Sequence, residues 1–165
     1  MGMTADEMLD ELGYRLYFDV ELQPHHYDGQ GHLNNAATAQ LFNDMRISYI
    51  RKVAGLWWSE YLRSNEVVVA VRETHFSYES EGFPGEVFRG AMRYLRREGK
   101  GALFEQCMCE VATGRVVARA WGVQLVVQRG RVVDWPDEYF ERIALAQGAS
   151  IECRTKPDRD WGPGA

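Results

Sequence analysis

Asp28 is the residue whose type and setting could do chemistry. It lies in the polar loop His25-His26-Tyr27-Asp28-Gly29-Gln30-Gly31-His32-Leu33-Asn34-Asn35, directly ahead of a helix. The first N–H groups of a helix are unpaired and carry a partial positive charge, so a carbonyl seated there meets an electrophilic pocket beside a carboxylate. That pairing suits acyl transfer: the carboxylate attacks a thioester carbonyl, or takes a proton from water, while the helix terminus stabilises the oxyanion. The plain alternative is an Asp that merely shapes a glycine-bearing turn. His25, His26, Asp28 and His32 could be taken for zinc or iron ligands, but their spacing matches no ligand pattern and no metal is expected. In the plain reading His32 orients the loop or lines a pocket. Cys107 and Cys109 sit mid-strand with no histidine pattern beside them, so packing explains them better than nucleophilic chemistry. Glu73 is a distant second candidate carboxylate.

The elements that must position Asp28 are legible from periodicity. Thr4 and Glu7 form a capping-box pattern ahead of Met8, Leu9 and Leu12, predicting a short helix that ends at Gly13. Leu16, Phe18, Val20 and Leu22 then alternate with polar residues up to Pro24, a strand with one wet face. After the loop, Asn34 or Asn35 caps a helix from about Ala36 to Ala54, with Phe42, Met45, Tyr49 and Val53 on one face. Few charges interrupt Leu41, Ile47 and Ile50, so this helix is expected to be covered on more than one side. A second short helix follows Gly55. Strands are predicted over residues 67–78, 87–95, 102–112 and 115–127, with a tight turn at Thr113-Gly114, and a last helix runs from Pro136 to Ala146. From Ser150 the chain is expected to be mobile. A mainly antiparallel sheet wrapped around one long apolar helix satisfies both periods. The predicted organisation is an N-terminal helical extension over 1–13, one α+β domain over 14–147 and a flexible tail over 148–165.

Composition limits the function classes. The chain has 165 residues, 45% of them hydrophobic, and 19 basic against 24 acidic residues give a net charge of −5. This is the size of one domain with a real core. The acidic balance argues against nucleic acid as a partner, which requires a basic footprint. Three cysteines make no disulfide framework. The N-terminus is acidic without an apolar core, and no stretch reaches the ~18 apolar residues of a membrane span. The expectation is a cytoplasmic protein with no membrane association.

The stretch Asp28-Gly-Gln-Gly31-His32-Leu-Asn34-Asn35, preceded by an alternating strand and followed by a helix carrying Leu41-Phe42, Met45-Arg46 and Tyr49, resembles the signature of the hotdog-fold acyl-CoA thioesterases of the 4-hydroxybenzoyl-CoA thioesterase family. Val68 to Tyr78, Gly85-Glu86-Val87 and the strand through Val116, Ala118 and Ala120 are similar to the rest of that family, so the likeness covers about residues 14–146. It implies a hotdog fold of about five strands and hydrolysis of an acyl thioester of coenzyme A or an acyl-carrier protein. The same likeness implies Asp28 as the catalytic carboxylate, with Gly31, His32 and Asn34 shaping the loop and a backbone N–H at about Asn35 polarising the carbonyl. Arg96, Arg97 and Lys100 are the matching candidates for the coenzyme A phosphates, against the plain reading of a charged hairpin tip. No metal or redox cofactor is implied, and a homodimer or homotetramer is expected, since an open sheet leaves edges to be paired.

The chain departs from the family at several positions. His26 stands where many members carry an acid, Pro24 where some carry Tyr, Asn35 where others carry His, and Glu86 where Asp is common. The resemblance leaves two mechanisms open for Asp28, nucleophile and general base. A non-catalytic acyl-CoA-binding or sensor protein of the same fold is the competing reading, and a dehydratase-like relative ranks below it.

Overall fold

The computed structural model describes residues 2–154. Its elements run α1 (Ala5–Glu11), β1 (Tyr17–Val20), α2 (Asn35–Ser64), β2 (Val67–Tyr78), β3 (Phe88–Glu98), β4 (Gly101–Glu110), β5 (Val116–Gln128), β6 (Arg131–Val133), α3 (Asp137–Gln147) and β7 (Glu152–Arg154). Hydrogen-bonded neighbours in the sheet follow the order β1-β3-β4-β5-β2, with β6 added on β5 and β7 on β3. The class is α+β, as the periodicities require.

The capping box is present: Thr4 and Glu7 satisfy each other at the start of α1. Gly55 breaks α2 with φ 57° and ψ −149°, so what runs through Ser64 is two helices joined at that residue, matching the second short helix expected there. Two short strands escape the sequence reading. β6 follows a turn in which Arg129 and Gly130 both have positive φ (48° and 76°), the twist that suits a two-residue hairpin. β7 runs parallel to β3, pairing Arg96 with Glu152 and Glu98 with Arg154. Residues 152–154 thus form a strand where the sequence reading places a tail from Ser150, and 155–165 lie outside the described residues.

The chain divides into two compact units. The first comprises residues 2–48, 76–92 and 106–120. Here β1 pairs antiparallel with β3, Phe18 opposite Gly90, and Phe42 and Met45 of α2 bury themselves with Phe88, Met108, Val117 and Ala118. The approach is close at Gly90, where a Cβ would stand 2.2 Å from Met45 Cε. α1 is no loose tether, since Ala5 and Leu9 are buried in one cluster with Tyr14, Ala91, Cys107 and Cys109.

The second unit comprises residues 49–75, 93–105 and 121–154 and has an aromatic core. Trp58 lies 4.4 Å from Tyr139, ring centre to ring centre, and Trp135 4.9 Å. Its buried hydroxyls are partnered: Tyr94 with Tyr139 at 2.9 Å and with Gln124, and Tyr49 donating to Gln147 at 2.7 Å. Buried polar groups cost free energy unless hydrogen-bonded, so this network is what permits three tyrosines inside.

Candidate active site

The loop that carries Asp28 is a folded turn. Tyr27 and Leu33 form an antiparallel bridge, the Asp28 N–H donates to the His32 carbonyl at 2.9 Å, and the Gly31 N–H to the Asp28 carbonyl at 3.1 Å. Gly31 has φ 81°, which a residue with a Cβ adopts only with strain. Within this turn Asp28 Oδ1 accepts from the Gln30 N–H at 2.9 Å and the His32 N–H at 3.1 Å. Those amides, His32 first, hold the Asp28 carboxyl below the ordinary aspartate range. One oxygen thus fixes the turn, and Oδ2 is not used by it.

The start of α2 is specified with equal economy. The Asn34 N–H donates to the His26 carbonyl at 2.8 Å. Asn34 Oδ1 accepts from Ala36 N–H at 2.8 Å and Ala37 N–H at 3.4 Å, and the Thr38 N–H already reaches the Asn34 carbonyl. Of the two asparagines, Asn34 is therefore the cap. Among the described residues only the Asn35 N–H is left without a partner in this first turn, the terminal amide that a ligand oxygen can use.

Asp28, His32 and Asn35 line one cleft of about 390 Å³, together with Thr38, Tyr78 and the segment Glu79–Gly82. Asp28 is exposed and Leu33 and Thr38 are buried at the floor. The His32 ring packs edge-on against Phe83 and places Nδ1 3.6 Å from Glu81 Oε1. The Tyr78 hydroxyl donates to the Asn35 carbonyl at 3.3 Å. Tyr78, Glu81 and the segment between them escape the sequence reading: nothing in an alternating strand says that its last residue will stand beside a helix start 43 residues earlier.

The basic run is not a free cationic surface. Arg96 is buried and ion-paired with the buried Glu98, its neighbour on the same strand face. Arg97 pairs with Asp137 at 3.2 Å and lies over the Phe140 ring. Lys100 is exposed and donates to the Val132 carbonyl at 3.0 Å. Of the three candidates for the coenzyme A phosphates, Arg96 is therefore not presented at the surface, because it is buried against Glu98. Glu73 belongs to the second unit, and its carbonyl lies against Gly122, where a Cβ would stand 2.3 Å away. Cys107 and Cys109 are buried with their sulfurs 3.7 Å apart.

Among the described residues no three His, Cys, Asp or Glu are grouped to hold a metal, and no helix is long and apolar enough to cross a membrane. No curated protein matches the chain significantly in sequence. Solved structures do match in fold. A Thermus thermophilus thioesterase complexed with coenzyme A and Zn is 20% identical, with TM-score 0.69 over 82% of this chain and 97% of that one. A Staphylococcus aureus protein in complex with CoA is 15% identical, with TM-score 0.71 over 89% of both chains. The probable thioesterase YbaW of Escherichia coli is 16% identical, with TM-score 0.68 over 80% of this chain and 97% of that one. At these identities the likeness concerns the fold, and the α+β hotdog architecture is that fold. The sequence profile of the thioesterase-like superfamily matches residues 22–143, which include the Asp28 loop, the start of α2 and the cleft between them, and the chain belongs to that superfamily.

Proposed function

We propose that the protein hydrolyses acyl thioesters of coenzyme A or of an acyl-carrier protein, with Asp28 as the catalytic carboxylate. The observation that carries this reading is the shared cleft: Asp28 and Asn35, owner of the one uncapped amide of α2, line the same space. In one route Asp28 Oδ2 attacks the carbonyl carbon, the carbonyl oxygen becomes an oxyanion beside the Asn35 N–H, and the thiolate leaves. Water then cleaves the mixed anhydride, regenerating the carboxylate and releasing the acid. In the other route Asp28 takes a proton from water, and the hydroxide adds to the same carbonyl. Neither route calls for a metal or redox cofactor.

Two further assignments belong to this reading. Arg97 and Lys100 remain our candidates for the nucleotide phosphates, because Lys100 is exposed and the Asp137 carboxylate that pairs with Arg97 is exposed. Arg96 is assigned instead to holding Glu98. β2 ends the main strand order and exposes Val68, Val71, Phe76 and Tyr78. A twelve-residue edge of this kind is a pairing template, and we assign it to a homodimer in the cytoplasm.

The test is a panel of short, long and aromatic acyl-CoAs, with free thiol and enoyl thioester measured separately. Release of thiol that Asp28→Asn abolishes supports the hydrolase. Ligand binding without turnover supports the sensor, and enoyl product the dehydratase.

A further inference from the structure

We propose that Arg115 is a positioning residue of the Asp28 cleft, holding from behind the segment that forms the wall facing the Asp28 turn. This rests on the thioesterase reading for its kinetic consequence, though not for its geometry.

The root of Arg115 is fixed. It closes the turn between β4 and β5, where its carbonyl accepts from the Glu110 N–H at 2.9 Å. The Glu110 carboxylate accepts from the Ala112 and Thr113 N–H groups at 3.0 and 2.9 Å and from the Thr113 hydroxyl at 2.6 Å. Gly114 has φ 66°, and a Cβ there would stand 2.6 Å from the Met3 carbonyl oxygen. The turn therefore has one conformation from which the side chain can project.

The guanidinium then spans one segment at three points. Nη1 donates to Ser80 Oγ at 2.8 Å and to the Glu81 carbonyl, and Nη2 donates to the Glu86 carboxylate. Ser80 passes the bond on, donating to the Val116 carbonyl at 2.7 Å, and Glu86 accepts from the Phe83 N–H at 2.9 Å. Three acceptors around one guanidinium suit the rigid arginine fork, and a lysine ammonium cannot reproduce it.

The other side of this segment touches the Asp28 turn. The Leu33 N–H donates to the Gly82 carbonyl at 2.8 Å, the Tyr27 hydroxyl to the Phe83 carbonyl at 3.3 Å, and His32 faces Glu81. One thickness of chain therefore separates Arg115 from the loop that orients Asp28. Removing the fork takes the guanidinium from the Glu81 carbonyl and leaves the Glu86 carboxylate with the Phe83 N–H but no cation, which frees the wall against which Leu33 is pinned. A displacement of the order of 1 Å at reacting groups costs about 10²-fold in rate. Arg115 makes no contribution to the lining of the cleft, so substrate affinity is affected less than turnover.

The experiment compares wild type, Arg115→Met, Arg115→Lys and Glu86→Ala in thioester turnover, thermal melting and site-resolved amide exchange. The expected result for Arg115→Met is a fall in kcat of about 10- to 100-fold with KM within about threefold. Arg115→Lys recovers only part of this, and the Leu33 amide exchanges faster while core amides of β4 keep their protection. In an Asp28→Ala background the same Arg115→Met change costs little further, because the group it positions is gone. A folded Arg115→Met protein with wild-type kcat overturns the proposal, as does a loss of activity that only tracks the melting temperature. Should Arg115→Met fail to fold, Glu86→Ala removes the acceptor of one arm of the fork, and an unchanged kcat there overturns the proposal equally. If the wild-type protein turns over no thioester, the hydrolase reading fails by itself and the exchange arm decides: faster exchange at Leu33 upholds the positioning, and unchanged exchange refutes it.

Discussion

Replacing Asp28 by Asn separates the turn that its carboxylate holds in the structure from the catalytic role proposed for it. Oδ1 is tied by the Gln30 and His32 amides at 2.9 and 3.1 Å, and an asparagine carbonyl oxygen accepts the same two bonds. The turn is therefore retained, and what is lost is the charge and basicity of Oδ2. Loss of a positioned carboxylate acting as base or nucleophile lowers kcat by about 10²- to 10⁴-fold. KM should move little, since the phosphate contacts and the acyl walls are untouched. The assay is continuous release of free thiol from an acyl-CoA, with circular dichroism and a melting curve on the same preparation. The substitution sets an asparagine before Gly29, a sequence prone to deamidation that restores aspartate, so protein mass is checked and Asp28→Ala is run in parallel. Both variants folded and both within about threefold of the wild-type rate would refute the role of Asp28.

Further outcomes follow from the same geometry. Because the His32 and Gln30 amides hold the Asp28 carboxyl low, it is ionised through the whole neutral range; the acid limb of kcat/KM is expected below the ordinary aspartate value of about 3.9. Any stability its ionised form adds is likewise present above the unfolded-state value and lost only as pH falls through the lower folded one. Asn34→Ala removes the acceptor for Ala36 and Ala37 and should cost about 0.5–2 kcal/mol in chemical denaturation. Arg96→Ala removes the nearer of the two arginines paired with the buried Glu98 and leaves only Arg154 at 3.7 Å, so it should cost less than the about 3–5 kcal/mol of a fully unpaired buried charge in denaturant melts. Lys100→Ala should leave stability unchanged and raise KM for CoA esters but not for an N-acetylcysteamine thioester. Gly90→Ala forces a methyl into Met45 and should cost about 1–3 kcal/mol, part of which Met45→Ala in the same chain recovers.

Local physics makes much of this fold readable. The capping box of Thr4 and Glu7, the break at Gly55 and the alternation in β2 to β5 each follow from neighbours within a few residues. So does the placement of Asp28 ahead of a helix start. The parts that are not readable depend on long-range partners. The basic run reads as free because Asp137 and β7 come from 40 or more residues away. β6 is hidden because its turn uses Arg129, a residue without a turn signature, at positive φ. Tyr78 and Arg115 carry no local signal at all, because the one is defined by its reach to Asn35 and the other by its grip on Ser80, Glu81 and Glu86. That Oδ1 alone of the Asp28 carboxylate oxygens accepts the Gln30 and His32 amides also needs the folded loop.

The most direct measurement is a crystal structure of the protein with a non-hydrolysable thioester analogue. The expected result puts the analogue's carbonyl oxygen about 3 Å from the Asn35 amide nitrogen and its carbonyl carbon about 3–3.5 Å from Asp28 Oδ2, or one water away from it. An analogue seated with its carbonyl turned away from the start of α2, or in a pocket that Asp28 does not reach, would contradict the central claim.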